Sequence, residues 1–210
     1  QGDGIDVSAR EYTCTDVYDI SDPSAPVKLN TLSQSGVYNT MRVKDGYAYV
    51  LSSFYPDTAS PRSDAGAYVP SVQGSTLEAD RIFMPEQEMG SEYTVITAFS
   101  LADPQEQTDS RAVFGSAGLC YVSGENIYVT ESCYDTDDSD VTRTAIRKVA
   151  YHDGLLEEAA QTKIDGLLND SFSIDEYNGY LRLVTTISSE NGVMPISRES
   201  SPAEPDTSNA

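Results

Sequence analysis

The stretch "CYDTDDSDVT" (133–142) holds the densest set of chemistry-bearing side chains in the chain. Asp135, Asp137, Asp138 and Asp140 crowd one loop, and no cation follows until Arg143. Hard carboxylate oxygens on a short loop suit Ca²⁺, which takes six to eight oxygen ligands. The loop lacks the glycine and the distal glutamate of an EF-hand, so the expectation is an irregular Ca²⁺ site weighed against a plain solvated acidic loop. "GDGIDVS" (2–8) carries a weaker version of the same pattern and reads as a frayed end.

Other catalytic chemistries find less support. His152 is the single histidine, so a multi-histidine zinc site is excluded and a Ser-His-Asp triad would have to use this residue. It falls in a predicted outer corner and reads as a surface side chain. No G-x-S-x-G, H-E-x-x-H or Walker pattern is present. Asp175 and Glu176 form a carboxylate pair of the kind glycosidases use, but with 34 acidic residues such neighbours arise by abundance. "DEYNG" (175–179) reads as a hairpin turn. Arg42 and Arg182 fall on predicted inner strands, where partial burial would require a carboxylate partner within the same unit.

These residues need elements to position them. Three segments, "MRVKDGYAYVLSS" (41–53), "LCYVSGENIYVTES" (119–132) and "SFSIDEYNGYLRLVTTI" (171–187), each read as two strands around a tight turn. Each follows a glycine, at Gly36, Gly115 and Gly166. Before each glycine lies a further strand pair, cornered by "SDPSAP", "ADPQEQ" or "HDGLLEE". Proline fixes φ and removes a donor, and Asp19 and Asp22 supply acceptors for Asx turns, so Asp22-Pro23 and Asp103-Pro104 mark equivalent outer corners. Residues 152–166 have local helix propensity, but their place in the repeat favours an outer strand. "YAYVL", "NIYV" and "YLRLV" are apolar on both strand faces, as expected for sheets packed on both sides.

Four-stranded units repeated along the chain, buried on both faces, predict an all-β fold of β-propeller blades. Two blades are complete. A leading outer pair (16–35) and a trailing inner hairpin (171–187) make two half blades, so the propeller is partial. The expected organisation is an extension over 1–15, the propeller over 16–187, and a linker or unfinished loop over 188–210. A long Pro-, Ser-, Gly- and Asp-rich insertion spans 54–92, and its "ADRIFMPEQ" segment is apolar enough to fold back onto the domain. The insertion, the 133–141 loop and the tail after 187 all follow the second strand of a blade. They share a face with the blade-to-blade connections, and this long-loop face is the expected binding surface. Tyr55, Tyr68 and Tyr134 are its candidate aromatic contacts.

"VYDISDPSAPVKL", "YTVITAFSLADP" and, most specifically, "DSFSIDEYNGYLRLVTT" resemble the secreted bacterial and archaeal β-propeller domain family distantly related to WD repeats. The resemblance covers roughly residues 12–187. It implies a secreted or surface-anchored prokaryotic protein and carries no established reaction or catalytic residues.

Composition narrows the partners. A formal net charge of −21 argues against nucleic acid and against anionic membrane surfaces, which both require Lys and Arg clusters. It suits an extracellular protein or one that gathers cations. The chain opens on Gln and has no apolar run near 18 residues, which predicts neither a membrane helix nor a signal peptide and suggests a mature or excised piece. Cys14, Cys120 and Cys133 are an odd set, and Cys120 and Cys133 fall out of register on their hairpin. The leading reading is a non-enzymatic module binding a protein or glycan at the cell surface. An extracellular polysaccharide lyase or hydrolase, and a purely structural spacer, are the alternatives. The half blades predict self-association, or pairing with the remaining blades of a parent chain, through open strand edges.

Overall fold

A computed structural model describes residues 10–85, 90–105, 107–115, 118–134 and 142–188. The leading pair is β1 (Tyr12–Asp19) and β2 (Val27–Ser35). Its corner is built as the side chains dictate: Asp19 accepts from the Ser21 N–H (2.8 Å), and Asp22 accepts from the Ser24 N–H (3.0 Å) and hydroxyl (2.7 Å).

The first full blade begins with β3 (Val37–Lys44) and β4 (Tyr47–Phe54). Asp45 and Gly46 join them with φ of 49° and 82°, the left-handed pair that a type I′ hairpin demands. The insertion follows, with β5 (Ser71–Val72), β6 (Ser75–Thr76) and β7 (Ile82–Phe83), before the outer pair β8 (Tyr93–Ser100) and β9 (Gln107–Phe114). The strand order β3-β4-β8-β9 is the expected blade.

The second blade is β10 (Cys120–Val122), β11 (Asn126–Tyr134), β12 (Thr142–His152) and β13 (Leu155–Asp165), paired in sequence order. The helix-prone 155–160 segment is strand, as its place in the repeat requires. The trailing hairpin comprises β14 (Leu167–Leu168) and β17 (Thr185–Thr186) at its base, with β15 (Ile174–Tyr177) and β16 (Tyr180–Leu183) around Asn178-Gly179 at its tip.

Three hydrogen-bond signatures repeat in phase. The N–H groups of Gly36, Gly115 and Gly166 donate to the carbonyls of Glu11, Glu92 and Thr142, each at 2.8 Å. Two residues beyond those carbonyls, Thr13 and Thr144 donate their hydroxyls to the Gly36 and Gly166 carbonyls (2.9 and 2.7 Å), and Thr94 occupies the same place. The outer pairs carry a register shift at Val17/Tyr18, Ala98/Phe99 and Lys148/Val149, again at equivalent positions. The unpaired residue is Leu29, Thr108 or Ala159, so a bulge in the fourth strand is part of the repeat and sharpens the twist of every outer pair.

The insertion does not hang free. Its β5–β6 hairpin adds to β2 through Gln34↔Val72, and β7 runs parallel to β9. It thereby covers two outer edges that would otherwise present unpaired backbone. Val72, Leu77 and Ile82 pack with Phe54, Tyr93, Val95 and Ala112, so the "ADRIFMPEQ" expectation holds over Ile82 and Phe83.

The apolar clusters lie between sheets. Tyr49, Leu51, Ile96 and Val113 of the first blade meet Ile127, Val129, Val149 and Tyr151 of the second. Tyr49 and Tyr151 cross edge-to-face at 4.6 Å, and each hydroxyl is bonded: Tyr49 accepts from the Gly154 N–H (2.9 Å), and Tyr151 donates to the Ser123 carbonyl (2.6 Å). Leu32 of the leading pair packs on Ala48, Val50 and Phe99. Ile174 of the trailing hairpin packs on Tyr128 and Ile146.

Two local expectations are corrected. "YLRLV" was expected to be buried on both faces, yet Tyr180 and Val184 are each 74% exposed, because no further blade covers the hairpin. Arg182 does pair across the hairpin with Asp175, but it stands in solvent rather than partly buried. Arg42 is also exposed and lies beside the Tyr151 hydroxyl, opposing the rise in that tyrosine's pKa that burial causes. No carboxylate partner of Arg42 is found among the described residues.

Glu176 docks the hairpin on the second blade. Ser123 donates to it at 2.5 Å and Asn126 at 2.8 and 3.0 Å. Burial raises the Glu176 pKa, but hydrogen bonds from Ser123, Asn126 and Tyr128 outweigh it and leave the pKa below the ordinary carboxylate value. A carboxylate with a lowered folded pKa stabilises above its unfolded pKa, and that stability is lost as pH falls through the folded value. Glu176→Gln is therefore expected to melt below the wild type at pH 7, with the gap closing as pH falls below about 4.5. A gap that does not change with pH would contradict the ionised latch.

Candidate functional site

The long-loop face carries an open cleft of about 720 Å³, within the ordinary range for ligand sites. Its floor is the Gly36 junction between the leading pair and the first blade, together with Ser53 and Phe54 at the end of β4. Its wall is the first part of the insertion, residues 55–67. Strand ends and blade junctions thus meet on one face, as the repeat requires.

Loop chemistry holds that wall in shape. Asp57 accepts from the Ala59 N–H (3.0 Å) and the Ser60 hydroxyl (2.7 Å). These bonds hold the Asp57 carboxyl below the usual carboxylate range, the Ser60 hydroxyl contributing most. The Asp57 N–H donates to the Ala67 carbonyl (2.8 Å), closing the loop on itself. A short 3₁₀ turn at Ala65–Ala67 follows, and the Tyr68 hydroxyl donates to the Ser60 carbonyl. Arg10 reaches across to an ion pair with Asp64, tying the start of the described chain to the insertion.

Tyr55 stands on this cleft with 61% of its surface exposed. The charged residues of the lining are Glu11, Asp57 and Asp64 against Arg10 alone. The arrangement offers an aromatic face, carboxylate acceptors, Ser53 and Ser60 hydroxyls, and one guanidinium. It suits a hydroxyl-rich ligand and disfavours an anionic one.

The three sequence-predicted tyrosines have different fates. Tyr55 lines the cleft. Tyr68 is half-buried and braces the wall from behind through Ser60. Tyr134 ends β11, and its side chain lies outside the described residues. Asp135, Asp137, Asp138 and Asp140 also lie outside them. Among the described residues, no group of three or more His, Cys, Asp or Glu side chains is placed to hold a metal ion. Glu11, Arg10, Asp57 and Asp64 were not anticipated as a set. They come from two segments more than 40 residues apart, and the signal for the loop was its Asp-x-x-Ser spacing at Asp57 and Ser60.

Elsewhere the titratable groups are structural. Glu131 and Arg147 form a buried ion pair at 3.4 Å between the two full blades, both more than 90% shielded. Burial raises the Glu131 pKa, Arg147 opposes the rise and Glu92 adds to it. Burial pushes the Cys120 thiol up to about 12, with Thr94 easing it only in part, so this sulfur is no nucleophile at neutral pH. Cys120 pairs with Val129 and Cys133 with Arg143 across their ladders, and all three cysteines are free. His152 is half-exposed at the β12–β13 turn, at the end of the blade opposite the cleft.

A family model described as a β-propeller domain matches residues 3–210. The chain belongs to the β-propeller domain family. The in-phase glycines, threonines and fourth-strand bulges are thus the blade repeat of a propeller, present here as two full blades flanked by two halves. A comparison with curated proteins finds no match. No described helix is long and apolar enough to cross a membrane.

Proposed function

We propose that this propeller module is a non-enzymatic glycan binder, working outside the cell, with the long-loop face as its binding surface. The observation that carries the reading is Tyr55, exposed at a cleft ringed by hydrogen-bonding groups. A sugar ring presents apolar C–H groups on its face and hydroxyls at its rim. An aromatic side chain complements the first and carboxylate, hydroxyl and guanidinium groups the second. The acidic lining and the net charge favour a neutral or amino-bearing glycan over a uronate or sulfated one. The lyase or hydrolase alternative calls for His, Arg and carboxylates converging in one pocket, and His152 sits at the wrong end of its blade for this cleft. Ca²⁺ bound by Asp135, Asp137, Asp138 and Asp140 belongs to the reading as a brace for the segment that joins β11 to β12.

Calorimetric titration with a panel of neutral and amino-sugar oligosaccharides tests both parts. A binding glycan should lose about tenfold in affinity with Tyr55→Ala, the ~1–2 kcal/mol expected of an aromatic contact. Binding that is indifferent to Tyr55→Ala, or absent across the panel, would refute the site. Titration of the chelated protein with Ca²⁺ alone should give heat and a higher melting temperature; neither at millimolar Ca²⁺ would remove the metal from the account.

A further inference from the structure

One residue of the second blade is held on both sides by side chains of the first. The Leu156 N–H donates to the Asp109 carboxylate (3.0 Å), and the Leu156 carbonyl accepts from the Arg111 Nε (3.3 Å). Leu156 is buried, and the Asp109 side chain is only 6% exposed. The Thr108 hydroxyl adds a bond to the Gly154 carbonyl (2.8 Å). This clamp on β9 is itself set by the insertion. Arg81 donates to the other Asp109 oxygen (2.9 Å), where the Ser110 N–H also donates (2.8 Å), and the Phe83 ring lies 5.9 Å from the Arg111 guanidinium. The parallel pairing of β7 with β9, Ile82 opposite Ala112 and Phe83 opposite Val113, fixes the insertion at this point.

The same insertion walls the cleft at its other end. Between the two ends it is packed on the first blade. Ala67 and Val72 are buried, and the Leu77 N–H donates to the Pro70 carbonyl (2.9 Å). Val72, Leu77 and Ile82 pack with Phe54, which forms part of the cleft floor.

We infer that the insertion is a strap coupling the cleft to the seam between the two full blades, so that a glycan seated on the wall also holds Leu156 in its clamp. The identity of the ligand rests on the glycan reading of the cleft; the coupling belongs to the chain itself. Arg81 and Phe83 are positioning residues, acting through Asp109 and Arg111. If the strap lifts, the buried Asp109 carboxylate loses Arg81 and keeps only backbone donors and the more distant Arg111 (3.8 Å). A buried charge short of partners is costly, and parting the seam relieves it by admitting water. Coupling is reciprocal, so whatever orders the wall tightens the seam, and whatever parts the seam loosens the wall.

Residue-resolved amide exchange reads both ends at once. Asp57, whose N–H donates to the Ala67 carbonyl, reports on the wall, and Leu156 reports on the seam. Leu156 pairs with Tyr151 beside the β12–β13 turn, at the end of the blade opposite the cleft and beyond direct shielding by a bound sugar. Without ligand, Ser60→Ala removes a hydroxyl that shapes the wall and should speed exchange at Leu156 about fivefold, and Arg81→Ala should do the same at Asp57. An amino-sugar oligosaccharide at about ten times its Kd should slow both amides about tenfold in the wild type, and Asp57 alone in Arg81→Ala. An unchanged Leu156 in Ser60→Ala overturns the coupling. So does equal slowing of Leu156 in the wild type and Arg81→Ala, or slowing confined to Asp57 in the wild type, which would leave the glycan reading standing. Should neither amide slow, the glycan reading fails and the Ser60→Ala result alone decides the coupling.

Discussion

Replacing Arg147 by alanine is expected to destabilise the protein by about 3–5 kcal/mol at neutral pH, because it strands the Glu131 carboxylate between the two full blades. Both groups are nearly inaccessible to water, so the loss is dominated by leaving a buried charge without its partner. For a chain of this size that is a fall in melting temperature on the order of 10 °C. The pH dependence has a fixed sign. The Glu131 pKa is already raised by burial, with Arg147 opposing the rise, so removing Arg147 raises it further. A group whose folded pKa lies above its unfolded one stabilises fully below the unfolded value, and that contribution is lost as pH rises through the folded one. The Arg147→Ala deficit relative to wild type should therefore be largest near pH 7 and shrink as pH falls toward about 4.5. Pairing Arg147→Met with Glu131→Gln should recover most of the loss, since neither variant side chain is charged. Thermal melts of wild type, single and double variants across that range are the check. A deficit independent of pH would mean that Arg147 acts through packing alone.

The second large effect is expected at Gly36. Its φ is +95°, and a Cβ built there would lie 2.4 Å from the Ser53 carbonyl oxygen and 2.8 Å from the Phe54 nitrogen. Both contacts are backbone, so neither can swing aside. Gly36→Ala combines left-handed strain of about 1–2 kcal/mol with a displaced junction between the leading pair and the first blade, for a total of about 3 kcal/mol or more. Gly46 separates the two terms. Its φ is +82°, but nothing lies within 4 Å of its Cβ position, so Gly46→Ala should lose about 1–2 kcal/mol from strain alone. Denaturant midpoints for the two variants measure the difference. Equal losses would show that close approach contributes nothing at the blade junction.

The contrast between these glycines explains what was legible in the sequence. Gly36, Gly115 and Gly166 stood out because each needs a positive φ, with close backbone approach added at Gly36 and Gly166, and they set the blade phase correctly. The Asp-Pro corner was legible because its chemistry is local. The start of β1 was not read as a repeat, although "EYT" recurs at 11–13 and 92–94, its glutamate in each case giving the carbonyl that accepts from the following glycine. The fourth-strand bulges left no mark, since the unpaired residues there (Leu29, Thr108, Ala159) share no chemistry. Glu176 was read as one acid among many in a turn. Its role depends on Ser123 and Asn126, about 50 residues away, which no local pattern can announce. Arg42 and Arg182 were expected to be partly covered because full blades on both sides were assumed. The cleft was half legible: topology put the insertion on the right face and Tyr55 on its surface, while the pairing of Arg10 with Asp64 needed three dimensions.

The long-loop face is the proposed binding surface, through the cleft at Tyr55. Amide hydrogen exchange with and without a saturating oligosaccharide reports on this face directly, because bound ligand slows exchange where it shields or stiffens the backbone. Added protection is expected in residues 55–67 and around the Gly36 junction, lost with Tyr55→Ala. Protection centred instead on the opposite turns, at Asp45-Gly46 or the Asp103-Pro104 corner, would contradict it.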